Sequence, residues 1–209
     1  MALATYADLK SAIANWLARP DDPTLTPFIP DFIALAETRI NRDLRLRAME
    51  TRATASLTGG YVALPPGFLE MRNFQLNTNP VTALSYVTPQ QLDASWAGSS
   101  AGRPVVYTII GDAIQVGPAP DAAYDAEMAY YKKIDALSPS RPANRLLTGA
   151  PDIYLYASLL EATPFLMNDE RLPVWSAAYE NAVRAAMTAE DRARWGGSVL
   201  QVRGDRPAL

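Results

Sequence analysis

The spacing of apolar residues changes twice along this chain, and each change narrows the folds open to it. Up to about Arg47 apolar residues recur at helical spacing, from Met49 every second residue, and from Pro151 at helical spacing again. A helix with one apolar stripe has to bury that stripe against another element. The N- and C-terminal helices are therefore expected to meet, leaving the strand-period region as an insertion between them. The expected fold class is α+β: a helical bundle formed by the N- and C-terminal helices, with an inserted antiparallel β domain. The expected boundaries are 1–48 and 136–197 for the bundle, 49–135 for the β domain and 198–209 for an extended C-terminal tail.

Local chemistry marks the elements. Thr5-Tyr6-Ala7-Asp8 has the form of a capping box, and Leu9, Ala12, Ile13, Trp16 and Leu17 follow on one helical face. Pro20 and Asp21-Asp22-Pro23 stop this helix. Pro30 suits the first turn of a second, whose stripe is Phe32, Leu35, Ala36, Ile40 and Leu44 and which is expected to run to about Arg47. In the middle region, Ala53–Leu57 and Tyr61–Leu64 flank Thr58-Gly59-Gly60, which reads as a hairpin turn. Runs follow at Leu69–Leu76 and Val81–Val87, then a short helix capped by Thr88 with Pro89 in its first position. Val105–Ile110 and Ala113–Val116 are joined by Gly111-Asp112, and Tyr124–Ile134 alternates as a last long strand. No helix here is long enough for a βαβ crossover, so the sheet is expected to be antiparallel. Pro151-Asp152 opens a helix apolar on most sides, read as central. Asn168-Asp169-Glu170 forms a turn, and a second helix runs from about Leu172 to Arg194. Its inner side is Trp175, Tyr179, Ala182, Val183, Ala186 and Met187, and Gly196-Gly197 ends it.

Chemistry is limited by what is missing. The chain has no histidine and no cysteine. That removes disulfides, Cys or His zinc sites, thiol nucleophiles and Ser-His-Asp triads. No phosphate loop, dinucleotide fingerprint or nucleophile elbow is present. Neither an enzyme nor a bound cofactor or metal is expected. A net charge of −3 supplies no basic face for tight nucleic-acid binding. No run approaches the ~20 apolar residues of a membrane span, and no signal peptide precedes the fold, so a soluble protein made in a cytoplasm is expected.

Few motifs stand out. Asp21-Asp22 is better explained as an acidic turn than as a carboxylate pair. Arg39, Arg42, Arg45, Arg47 and Arg52 form the one basic cluster, interspersed with Glu37, Asp43 and Glu50. It reads as a solvated face with i,i+3 and i,i+4 ion pairs, or as a surface for an acidic partner or neighbouring subunit. Arg203-Gly204-Asp205 is a chance tripeptide. Tyr124, Tyr130, Tyr131, Tyr154 and Tyr156 could form a sugar platform, but tyrosine is ordinary core material. Ser198-Val199-Leu200-Gln201-Val202 alternates after a helix has ended, so it can add to a partner's sheet edge or fold back on its own domain.

Three stretches carry a family resemblance through their order and spacing. They are Tyr6 to Leu17 with Phe32 to Arg42, then Ala63-Leu64-Pro65-Pro66-Gly67-Phe68-Leu69-Glu70, then Pro151 to Ala162 with Asp169-Glu170-Arg171 and Trp175. The chain resembles the head-to-tail adaptor proteins of tailed bacteriophages over nearly its whole length. The resemblance implies a virion protein that forms a ring, usually of twelve copies, below the portal. Such a ring extends the channel through which double-stranded DNA passes and docks the tail, stopper or nozzle proteins. It implies portal engagement by the C-terminal tail, with Val199, Leu200, Gln201, Val202 and Arg203 as the contact residues. Arg39, Arg42, Arg45 and Arg47, from their charge alone, are candidates for a subunit or partner interface. Alternatives are a stopper or tail-terminator ring protein, expected to be mostly β, and a carbohydrate or host-recognition module using the β insert.

Overall fold

A computed structural model describes residues 3–96, 98–166 and 170–195. The expected turn at Asn168-Asp169, the Gly196-Gly197 stop, the Arg203-Gly204-Asp205 tripeptide and the tail from Ser198 lie outside the described residues. Along the chain, Tyr6–Trp16 (α1) and Ile29–Asp43 (α2) precede strands Glu50–Leu57 (β1), Tyr61–Ala63 (β2), Phe68–Leu76 (β3), Thr82–Ala83 (β4) and Ser85–Tyr86 (β5). Then come Pro89–Trp96 (α3), Val106–Ile110 (β6), Ala113–Gly117 (β7) and Tyr124–Lys132 (β8). Arg145–Gly149 (α4), Pro151–Leu166 (α5) and Leu172–Trp195 (α6) complete the order. The fold class is α+β, with helix at 45% and strand at 24%. The described residues divide into two compact units: a helical one up to Arg47 and again from Ala136, and a β unit spanning Ala48–Asp135.

In the helical unit α5 is the central element. It packs against α1, α2, α4 and α6. Ile153, Tyr154, Leu155, Ala157, Leu159, Leu160 and Ala162 are all buried, which is why its sequence is apolar on most sides. The capping box at the start of α1 is formed: Thr5 Oγ1 accepts from the Asp8 amide at 3.2 Å, and Asp8 Oδ2 accepts from the Thr5 amide at 3.0 Å. Leu9, Ala12, Ile13 and Leu17 are buried, but Trp16 is 46% exposed, meeting Tyr156 edge-on at 5.8 Å.

Two expectations for α2 need correction. The helix stops at Asp43, not Arg47, because Leu44 is extended and Arg45 Nη1 donates to the carbonyls of Asn41 and Leu44 at 2.8 and 2.7 Å. A helix's last carbonyls need donors, and here a side chain supplies them. Leu35 does not belong to the buried stripe. It is 51% exposed, while Glu37 is buried in its place. In α6 the buried stripe ends at Tyr179, and Met187 is 42% exposed. The short α4, capped by Asn144, was not anticipated.

The β unit is a pair of four-stranded sheets, ordered β1-β8-β3-β4 and β2-β7-β6-β5. Leu57, Phe74, Leu76, Ala126, Met128 and Tyr130 from the first sheet meet Tyr107, Ile114 and Val116 from the second in one core. β1 pairs with β8 along its full length, from Glu50 opposite Tyr131 to Leu57 opposite Tyr124. The Gly111-Asp112 turn forms as expected, with Ile110 opposite Ala113 and Gly111 at φ 58°, a value glycine adopts freely.

Three features of the β unit differ from the sequence reading. Thr58-Gly59-Gly60 is not a hairpin turn: β1 and β2 lie in different sheets, and β2 pairs with β7. Alternation shows that Leu57 and Val62 both face inward, but not that they face the core from opposite sides. The run at 81–87 likewise splits, with β4 in one sheet and β5 in the other, about a buried Leu84 whose amide donates to the Phe74 carbonyl at 2.8 Å. The sheets are not all antiparallel. β5 and β6 pair in parallel, Ser85 with Val106 and Tyr86 with Tyr107. A parallel pair needs a crossover of about a dozen residues. The 8-residue α3 with the irregular segment after it meets that need, although α3 alone is short.

Candidate functional site

Of the five clustered arginines, Arg39, Arg42, Arg45 and Arg47 lie at or just past the C-terminal end of α2, and all of the five but Arg42 are engaged within the chain. Arg39 Nε donates to Glu161 Oε1 of α5 at 2.6 Å. Arg45 caps α2 as described. The amide and Nε of Arg47 both donate to Glu190 Oε2 of α6, at 3.2 and 2.9 Å. These carboxylates belong to other helices, not to neighbouring positions on α2. Arg52, in β1, pairs with Glu127 of β8 at 3.1 Å. Arg42 is exposed and has no ion pair among the described residues. Beside the cluster the Tyr179 hydroxyl donates to Asp43 Oδ2 at 2.8 Å. Burial, and then that bond to a carboxylate, push the phenol well above its usual range. The end of α2 is thereby fastened to both α5 and α6.

A second polar cluster lies inside the helical unit. Glu37 Oε1 accepts from the Leu137 amide at 2.7 Å and from the Tyr154 hydroxyl at 3.2 Å, and Asn144 Nδ2 reaches the Tyr154 oxygen at 2.6 Å. Burial raises the carboxyl above its ordinary value, and the two donated hydrogen bonds pull it partly back. The cluster ties the segment entering α4 to α2 and α5. One cue could have found it: Glu37 falls between Ile33, Ala36 and Ile40 on the apolar face of α2, where a carboxylate is out of place.

Outside these clusters the helical unit presents large apolar side chains to solvent. Phe28 is 43% exposed and rests on Phe165 at 5.0 Å between ring centres. Leu35 is exposed on α2, and Leu172, Val174 and Met187 on α6. Scattered exposed apolar residues of this kind are ordinary on a protein surface. Ala177 and Ala185 are exposed on α6, and Ala178 and Ala186 are half-buried.

The tyrosines do not come together as a platform. Tyr130 and Tyr131 are buried at 4% and 5% exposure, Tyr130 stacking on Phe68 and Tyr131 lying under Arg72, while Tyr154 is enclosed in the other unit. Asp21 and Asp22 form a turn in which Asp22 accepts from the Thr24 amide and pairs with Arg19. Among the described residues no group of three or more acidic side chains is placed to hold a metal ion, and no helix is long and apolar enough to cross a membrane. Val199 to Arg203 lie outside the described residues.

Residues 4–203 match the family described as SU10 adaptor protein. The chain belongs to that family, and so is a bacteriophage adaptor protein and a virion component. No curated protein matches it.

Proposed function

We propose that this protein is a non-enzymatic structural subunit of the phage head-to-tail connection. Copies of it form a ring of twelve below the portal, extend the DNA channel and dock the tail. The observation that carries this is the family match across almost the entire chain, 4–203. The helical unit serves as a bundle and forms the ring body, the β unit meets tail, stopper or nozzle proteins, and the tail from Ser198, with Val199 to Arg203, engages the portal.

Three physical points support the reading. A subunit in a ring needs two different contact faces, because a heterologous contact repeated about an axis closes without any self-complementary patch. Leu35 on α2 and Leu172, Val174 and Met187 on α6 are exposed and available to such contacts. A net charge of −3 per copy, multiplied around a pore, lets DNA slide without sticking. The helix content of 45% does not suit a mostly-β stopper or terminator. Burial of Tyr130 and Tyr131 counts against carbohydrate recognition by the β unit.

The test is assembly. The purified protein, mixed with its cognate portal protein and imaged by electron microscopy, is expected to add a twelve-fold ring to one face of the portal. A protein that stays monomeric and has no affinity for the portal sinks the proposal.

A further inference from the structure

The two sheets of the β unit have four edges, and three of them are short. β4 and β5 have 2 residues each and β2 has 3, whereas β1 runs 8 residues, Glu50–Leu57. An edge strand exposes unpaired backbone groups, and proteins commonly blunt it by brevity, lysine, proline or a bulge. β1 has none of these, and its register with β8 is unbroken. Its charged side chains lean back over their own sheet, Arg52 to Glu127 and Glu50 to Arg72, each at 3.1 Å. The Asn77 amide donates to the Asp125 carbonyl and the Lys133 amide to the Gly67 carbonyl, both at 2.8 Å, so odd-numbered residues of β8 turn toward β3. Direction alternates along a strand, so Tyr124, Ala126, Met128 and Tyr130 turn toward Leu57, Ala55, Ala53 and Thr51 of β1. The amides and carbonyls of Arg52, Thr54 and Ser56 therefore face away from β8, and among the described residues no other backbone group meets them.

The core is open on the same side. Ala53, Met128 and Phe74 form one inward row across β1, β8 and β3, and Ala55, Ala126 and Leu76 form the next. The β8 and β3 members are at most 2% exposed, but Ala53 and Ala55 are only half-buried against that core. At the far edge the sheet is closed, because the Leu84 amide donates to the Phe74 carbonyl at 2.8 Å and β4 pairs with the end of β3. β1 lacks one more strand. Only an extended backbone offers donors and acceptors at the roughly 7 Å spacing of alternate edge residues. Its side chains are specified too: apolar where they extend the rows of Ala53 and Ala55, polar beside Arg52, Thr54 and Ser56 on the solvent face.

We propose that the outer edge of β1 is a strand-addition site whose occupant is an extended segment, alternately apolar and polar, of the tail-side protein that docks on this one. The proposal rests on the adaptor reading, in which the β unit meets tail, stopper or nozzle proteins, and names the strand and the bonding that make that contact. Backbone pairing at Arg52, Thr54 and Ser56 gives affinity, and the open rows at Ala53 and Ala55 select the apolar side chains. A second copy's β1 fits the edge less well. Its inward residues are again alanines, which leave the rows unfilled, and a two-fold β1 pair closes a dimer instead of a ring.

A proline tests it on the full chain in the phage. Thr54→Pro removes an amide that points away from β8, a position where an edge strand tolerates proline, so the β1–β8 ladder survives. Particles carrying this variant are expected to keep the adaptor ring on the portal in electron micrographs but to attach tails about tenfold less often, since outward hydrogen bonds are lost. Thr54→Val keeps the amide and should attach tails as wild type does. Hydrogen–deuterium exchange on the unaltered protein gives a second readout that needs no variant. The amides of Arg52, Thr54 and Ser56 should become protected when the tail attaches, with those of Ala53 and Ala55, already bonded to β8, as the internal reference. Tails attached at wild-type frequency by folded Thr54→Pro, or unchanged exchange at the three amides, overturn this site and leave the adaptor reading standing. Protection that is complete in the ring on the portal, before any tail is present, gives the edge to a neighbouring copy or the portal and overturns the partner assigned. A wild-type protein that forms no ring on the portal overturns both readings.

Discussion

Glu37 shows how one residue can contradict its neighbourhood and still organise it. Its carboxyl is raised by burial, so the folded state binds the proton more tightly than the unfolded chain does. The stability it contributes is therefore fully present below its unfolded value and is lost as pH rises through the raised folded value. Glu37→Gln keeps the acceptor that both donors use and removes the charge. The wild type should gain stability relative to this variant as pH falls from neutrality through the raised folded value toward the ordinary carboxylate range, measured by thermal melts of both proteins. Parallel pH profiles would refute the role given to the carboxylate. Glu37→Ala, leaving the Leu137 amide and the Tyr154 hydroxyl without their acceptor, should cost about 1–3 kcal/mol in urea denaturation. In the β unit, a Cβ at Gly117 would lie 3.0 Å from Trp96 Cδ1 and 3.2 Å from Val106 Cγ2. Gly117→Ala is expected to destabilise by roughly 1–3 kcal/mol through overpacking. A chemical-denaturation midpoint equal to wild type would contradict it. Glu37 was grouped with the charged surface although its place among Ile33, Ala36 and Ile40 was a cue, and Gly117 looked like one glycine among several.

At the scale of elements, the end of α2 is held by contacts between helices distant in sequence. Tyr179 donates to Asp43, Arg39 pairs with Glu161, and Arg47 with Glu190. These contacts differ in weight. Tyr179 is buried, so Tyr179→Phe removes a charge-assisted hydrogen bond and should cost about 1.5–3 kcal/mol. Arg47 is half-exposed in its pair, so Arg47→Ala should cost less than about 1 kcal/mol. Equilibrium denaturation of both variants checks the order, and a larger loss for Arg47→Ala would reverse the argument. Most element positions were legible because caps, prolines and period are local: the Thr5 box, Pro30, the Thr88 cap and the Gly111 turn all sit where the sequence puts them. Partnership was not legible. Alternation identifies the inward residues of β1 and β2 but cannot assign them to sheets, and a short helix does not announce a parallel crossover when the residues after it lengthen the connection.

At the scale of the whole molecule, the tail carries the prediction. Deleting residues 198–209 should abolish docking to the portal, measured by co-sedimentation, while the melting profile and far-ultraviolet dichroism of the remaining chain stay unchanged. Docking equal to the full chain would remove the tail from the portal contact. The sequence by itself determined the α+β class, the central α5 and the placing of strands between helical ends, because hydrophobic period and capping chemistry depend on residues a few positions apart. Its spacing also carried the adaptor resemblance that the family match across 4–203 supports. Only the tertiary structure decided that Glu37 goes in and Leu35 stays out, that Arg39 and Arg47 are held by α5 and α6, and that the second sheet is mixed in direction. Those outcomes depend on which surfaces meet across a hundred or so residues of chain, and burial and pairing over that distance leave no mark in local spacing.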